Sequence, residues 1–385
     1  MLPKTLGVLA GCVASAVAWG PAGHEIVATI AQIHLHPSVF PAICAILNST
    51  APAPPCHLAP VATWADTERS KMPWSASLHY VGAVDDYPSQ TCVFPGLRGW
   101  AGKDGANVLS GIRNVTDILT DWVYFNKGAM VPGYKYDVAN EALKFLIHFL
   151  GDMHMPLHLT GRDRGGNSIP IFFDGQKTNL HSLWDDLLIA KALRSVPSQY
   201  SRPLPLPNVE QALRGTIYDS YVRMIMWEGV LGEWERQIPD WLSCPVPFPS
   251  QAACVSKSDF DTPAWQEALA AWNLIGGSDD RFVCPHHWAE PIHTLNCEFV
   301  WPAALDQPPY NDTRPPAAVA DQQLFLSDAD PAPFLELDTP EYYGVISERR
   351  TVEKLLAQGG IRLAGVLNYL FADLEDDEQR LSVVL

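Results

Sequence analysis

His148 and Asp152 stand four residues apart inside an apolar run, and His181 with Asp185 repeat that spacing further on. On a strand such partners would lie about 13 Å apart, but on a helix they project from one face, one turn apart. Each pair is therefore a two-ligand clamp for a cation if the chain is helical there. His158 falls just beyond Pro156, where the chain leaves the helix and can fold back over the same face. Asp66 in Trp64-Ala65-Asp66 and His79 in Leu78-His79-Tyr80 add one more acid and one more imidazole. A set of His and Asp donors suits Zn²⁺, which takes nitrogen and oxygen ligands and leaves positions open for water when it is catalytic. One pair alone is more often a structural hydrogen bond; four such segments in one chain favour a metal site. His154, two residues from Asp152 and about 200° round a helix, points away from the clamp and is expected to be packed.

Helical periodicity dominates the rest. From Asn107 to Asn126 the apolar positions Val108, Ile112, Val115, Leu119 and Trp122 recur at spacings of three and four, the pattern of an amphipathic helix. Asp137 reads as the N-cap of a second helix that runs through Ala142, Phe145, Leu146 and Phe149 until Pro156 ends it. Similar stretches cover His24 to Leu35, Asn179 to Leu193, Val209 to Arg236, Thr262 to Leu274 and Thr339 to Phe371, and only Ser168 to Phe173 reads as extended. The expected fold is all-α, one mainly helical domain over residues 19–375 with long Pro-rich loops, insertions at about 196–280 and 302–340, and a C-terminal tail at 376–385. With 47% hydrophobic and 18% charged residues the chain can bury a large core. Its formal charge of −17 excludes a basic nucleic-acid binder that relies on phosphate contacts.

Lys4, the apolar run Leu6 to Ala18 and the small-x-small triplet Ala16-Val17-Ala18 form a signal peptide over residues 1–18, so Trp19 should become the N-terminus of a secreted protein. Sequons at Asn48, Asn114 and Asn311 suit a secreted glycoprotein. Of eight cysteines Cys12 leaves with the signal, and the odd number remaining leaves one thiol unpaired or intermolecular. Cys44 with Cys56 and Cys244 with Cys254 are the local pairings expected in an oxidising compartment, and Cys92 with Cys284 or Cys297 the long-range one.

The motifs Trp19-Gly20-Pro21-Ala22-Gly23-His24, Trp64-Ala65-Asp66, Leu78-His79-Tyr80, HFLGDMHMPLH from His148 to His158 and NLHSLWD from Asn179 to Asp185 together resemble the fungal and plant S1/P1 nucleases. The resemblance continues through Cys284-Pro285-His286-His287-Trp288-Ala289 and Gly360-Ile361-Arg362-Leu363-Ala364-Gly365 to about Phe371. It implies a helical fold related to zinc phospholipase C and three Zn²⁺ as cofactors. The metal ligands it implies are Trp19, through its α-amino nitrogen and carbonyl oxygen, with His24 and Asp152; Asp66, His79 and His148 with the other oxygen of Asp152; and His158, His181 and Asp185. It further implies a monomer without membrane association that hydrolyses single-stranded DNA and RNA to 5′-phosphate products, with 3′-nucleotides also as substrates. By the same resemblance Asp66 and Asp152 are catalytic, Arg69 stabilises charge on the phosphate, Tyr80 stacks a base, and Gly166 and Asn167 line the base pocket. Where the family usually carries an acid that hydrogen-bonds the base, this chain has Gly82, with Asp85 or Asp86 nearby as substitutes.

Cys284, His287, His293 and Cys297 also read as a structural zinc site, although the resemblance makes these cysteines disulfide partners. Two other functions compete. A phospholipase C-like phosphodiesterase would use a similar ligand set, and a silent binding protein on the same fold would need no complete set at all.

Overall fold

A computed structural model describes residues 19–47, 56–96, 98–102, 105–127, 136–245, 279–311 and 333–373. The signal segment, the stretch from Thr262 to Leu274, the sequon at Asn48 and Cys254 lie outside them.

The architecture is mainly helical. Helices α1 (Pro21–Ile33), α2 (Phe40–Ile46), α3 (Trp64–Glu68), α4 (Val108–Lys127) and α5 (Tyr136–Asp152) occupy the first part of the chain. The long helix Thr351–Phe371 returns from the far end to pack on α1, α4 and α5. α4 forms as its sequence dictates. The Asn107 side chain accepts from the amides of Leu109 and Ser110, capping free donors of the first turn, and the five apolar positions all face the core. α5 begins one residue before Asp137, so that acid sits inside the first turn rather than at the cap. α5 also stops at Asp152, short of Pro156, because the His154 amide bonds to the Gly151 carbonyl and the Met155 amide to that of Asp152. This tight exit turns the chain into the 3₁₀ segment Pro156–Leu159 and brings His158 back over the end of α5.

Two expected long helices are broken. The first gives Pro207–Ala212 and Asp219–Met224, with a π-helical stretch Ile225–Glu233 after them, interrupted where Gly215 takes φ 87°. The second breaks at Arg350, whose φ of 49° separates Val345–Glu348 from Thr351–Phe371. The extended piece after Ser168 belongs to a small sheet of order β2-β1-β3 formed by β1 (Pro170–Phe173), β2 (Gln176–Asn179) and β3 (Leu335–Glu336). β1 and β2 pair antiparallel across Asp174-Gly175, both with positive φ, the Asp-Gly signal of a two-residue hairpin.

Disulfides join Cys44 to Cys56 and Cys92 to Cys297. The local pairing of Cys244 with Cys254 is replaced by Cys244 with Cys284, which fastens the end of the helix Ile238–Leu242 to the start of Pro285–Leu295. These bonds also remove the structural zinc reading, since both of its cysteines are spent and His287 is exposed. Among the described residues no single helix is long and apolar enough to cross a membrane.

Candidate metal centre

Seven elements converge on one buried cluster. α1 carries His24, α3 carries Asp66, and the 3₁₀ segment Pro73–His79 ends on His79. α5 supplies His148 and Asp152 at its C-terminal end, and Pro156–Leu159 supplies His158. His181 and Asp185 come from Leu180–Ser182 and the π turn Leu183–Leu187 that continues it; the Asn179 side chain caps this run by accepting from the Ser182 amide. The helix-spaced reading of both pairs therefore holds in three dimensions.

Asp152 is the hub. Its Oδ1 lies 3.4 Å from His24 Nε2 and 3.9 Å from His158 Nδ1, and its Oδ2 lies 3.1 Å from His79 Nδ1 and 3.4 Å from His148 Nε2. Asp66 faces His79 at 3.7 Å and His148 at 3.6 Å, and His181 Nε2 is 3.3 Å from Asp185. The rings of His24 and His148 stack at 3.9 Å, and those of His158 and His181 at 5.0 Å. Three groups have donor atoms close enough to share a cation: His24, His148 and Asp152; Asp66, His79 and His148; and His158, His181 and Asp185.

The surrounding backbone orients these rings. His148, His158 and His181 each donate through Nδ1 to a carbonyl, of Ala62, His79 and Gly165 respectively. That fixes the tautomer with the lone pair on Nε2, as in metal-binding histidines; His148 Nε2 lies 3.1 Å from His79 Nδ1. Gly151 makes room for His24: a Cβ there would fall 2.5 Å from His24 Nδ1.

The fit to metal can be tested on the buried atoms themselves. Both nitrogens of His24, both oxygens of Asp66 and of Asp152, His79 Nε2 and Asp185 Oδ1 have no hydrogen-bond partner among the described residues. Buried polar atoms are nearly always paired, so a group of orphans on this scale needs cations to answer it. Electrostatics agree. Burial pushes the Asp152 carboxyl well above the usual carboxylate range, with Asp66 acting the same way and His148 and Arg69 opposing it. Burial likewise raises Asp185, reinforced by Asp186, Asp152 and Asp66. Burial lowers His24 and His158, and brings His79 down to about 4. Imidazoles whose charged form burial disfavours, set beside carboxyls that burial and one another's charge push up, form a set of donors that cations would stabilise.

Trp19 is fully buried, and the Gly20 amide donates to the Asp185 carbonyl at 3.0 Å, which anchors that end of the chain at the cluster. Arg69, one turn beyond Asp66, places its positive charge within reach of His79 and Asp152. Tyr80 follows His79 directly and leaves its ring 48% exposed. Gly166 and Asn167 lie in the turn fixed by the His181 to Gly165 bond, where the Asn167 side-chain amide donates to the Arg164 carbonyl. Asp85 is exposed and paired with Arg98 at 2.9 Å. Asp86 is buried, accepting from the Thr160 hydroxyl and the Val93 amide and facing His293 at 3.0 Å. Asp86 is thus taken up by contacts within the fold, whereas Asp85 stays at the surface.

Some structural residues carried no signal in the sequence. Arg162 is held between the rings of Tyr87 and Trp301 and bonds to Pro88, Ser89 and Asp306, joining three loops. Arg362 is buried and donates to His154, Trp241 and Trp288. His154 is packed as expected, but from the turn after α5, where its ring bonds to the Leu150 carbonyl.

A buried His and Asp centre capable of holding several cations, inside a mainly helical disulfide-linked fold, defines the class. The family model described as S1/P1 Nuclease matches residues 19–245, and this chain belongs to that family. Endonuclease 3 of Arabidopsis thaliana is 28% identical over 370 residues, 95% of this chain and 93% of that protein. Nuclease P1 of Penicillium citrinum is 37% identical over 177 residues, 46% of this chain and 60% of its own length. Nuclease S1 of Aspergillus oryzae is 35% identical over 189 residues, 48% of this chain and 60% of its own length.

Proposed function

We propose that this protein is a secreted zinc-dependent nuclease that hydrolyses single-stranded DNA and RNA to 5′-phosphate products and also removes the phosphate of 3′-nucleotides. One observation carries the reading: three groups of buried His and Asp side chains whose donor atoms could each share a cation lie together around Asp152, both of whose oxygens lack a hydrogen-bond partner among the described residues, in a chain of the S1/P1 nuclease family. The donor set suits three zinc ions, with His24 and Asp152 joined by the amine and carbonyl of a mature Trp19, Asp66 with His79, His148 and Asp152, and His158 with His181 and Asp185. Zinc bound there supplies Lewis acidity, polarising a phosphodiester and making water acidic enough to attack at neutral pH.

The protein's own groups do the rest. Asp152, with one oxygen toward His24 and the other toward His79 and His148, keeps two of the groups in register. Arg69 holds a positive charge beside the cluster, where negative charge grows on the phosphate during displacement. The half-exposed Tyr80 ring next to His79 offers an unpaired base a stacking face. A chain of charge −17 gives a duplex little net attraction, so its affinity rests on the centre and on bases that only a single strand exposes.

The test is hydrolysis of single-stranded DNA, RNA, a 3′-nucleotide and phosphatidylcholine by the mature protein, with and without a chelator. Chelator-sensitive cleavage of the three nucleotide substrates is the expected result. Cleavage of phosphatidylcholine alone, or full activity after verified metal removal, would overturn the proposal.

A further inference from the structure

The Trp74 indole is 60% exposed. It lies near the start of the 3₁₀ segment Pro73–His79, whose last residue is the cluster histidine and which passes straight into Tyr80. Trp74 meets Phe145 edge-on at 5.7 Å, and Phe145 meets Trp64 at 5.3 Å and stacks on Phe149 at 5.0 Å. Phe149 in turn abuts the His79 ring at 5.4 Å. One continuous aromatic array thus runs from the metal centre to the surface. Cations border it. Lys144 lies over the Trp64 ring at 4.8 Å, and Arg69 and Lys71 follow Asp66 along the chain. Glu68 pairs with Lys71 at 2.7 Å, and Glu68 and Glu141 both act on Lys144. Lys144 therefore sets one cation at the edge of this array, with Glu68 and Glu141 within its field.

We propose that Trp74 is a second nucleobase platform, stacking an unpaired base of the strand whose phosphate sits at the His and Asp cluster. This rests on the nuclease reading and extends it. Trp74 and His79 are five steps apart along the 3₁₀ segment, roughly 10 Å at about 2.0 Å per step. The base concerned therefore belongs to a neighbouring nucleotide, not to the one Tyr80 serves. An indole face accepts any base but only an unpaired one, so the platform selects single strands without selecting sequence.

The experiment compares wild type, Trp74→Ala and Trp74→Phe in the mature zinc-loaded protein, with Trp74→Gln as a second non-aromatic variant should alanine fold poorly. Binding of a phosphorothioate oligothymidylate is read by anisotropy, and KM is measured on an oligonucleotide and on a 3′-nucleotide. Loss of the ring should weaken oligonucleotide binding and raise its KM about 10-fold, leave the 3′-nucleotide rate within about twofold, and be largely rescued by Phe. Unchanged oligonucleotide binding, or equal losses on both substrates at normal zinc content, would overturn the platform. Failure of the wild type to cleave any nucleic acid would overturn the nuclease reading instead, and the phosphorothioate comparison would still judge Trp74.

Discussion

Adding a side chain at Gly82 should damage the protein rather than restore base recognition. A Cβ at this position would lie 2.6 Å from the Gly161 amide nitrogen and 2.7 Å from its Cα. Both obstacles are backbone, so no rotamer change relieves them, and overpacking of this kind costs about 1–3 kcal/mol. The strain falls on a segment held by the Val81 amide donating to the His158 carbonyl at 2.8 Å and the Ala101 amide donating to the Gly82 carbonyl at 2.7 Å. Loss of either bond adds about 1 kcal/mol. Gly82→Ala should therefore lose about 2–4 kcal/mol in urea unfolding, and Gly82→Asp at least as much. Because His158 also holds the His79 carbonyl, both variants should bind less zinc. A change below about 0.5 kcal/mol with zinc and base preference intact would refute the close approach. Gain of a base preference in Gly82→Asp would refute the claim that the site has no room for an acid.

Asp152→Asn should reduce zinc content and activity far more than Asp163→Asn, because Asp152 faces two ligand groups at once; equal effects in metal analysis and nuclease rate would remove its bridging role. One extra alanine before Trp19 should leave two zincs and little activity, since a peptide nitrogen has no lone pair to give. Mass spectrometry must confirm that the alanine persists, and a fully active three-zinc product would exclude the N-terminus as a ligand. His286 has its pKa lowered to about 4, by burial first and by His287 second, and its Nε2 has no hydrogen-bond partner among the described residues. Its neutral form is favoured only in the folded state, so its contribution is complete above pH 6.5 and fades as pH falls towards 4. His286→Phe should flatten that limb of the stability curve relative to wild type; parallel curves would show that His286 does not titrate on unfolding.

Part of the His and Asp cluster was legible in the sequence because two of its pairs follow helical spacing: His148 with Asp152 and His181 with Asp185 face one another as the periodicity requires, whereas His24 was placed beside them only by the resemblance. α4 was equally legible, its apolar positions all buried. The breaks were not. Residue 350 is an arginine that takes a left-handed φ only because the elements on either side are packed, and no local signal marks it. The partner of Cys244 could not be found from spacing, since a near cysteine and a distant one satisfy the chain equally until the helix Pro285–Leu295 is docked. The fates of Asp85 and Asp86 depend on Arg98, Thr160 and His293, which only the tertiary fold brings to them. The β1–β2 hairpin, by contrast, had its Asp174-Gly175 signature in plain view beside a strand-like run.

The central claim is a three-zinc centre assembled on Asp152 and completed by the mature N-terminus. It is tested most directly by counting metal in the purified mature protein by mass spectrometry while following nuclease activity through chelation and zinc return. Three zinc ions per chain, activity lost as they leave and regained as they return, is the predicted result. Full nuclease activity with one zinc or none would contradict it.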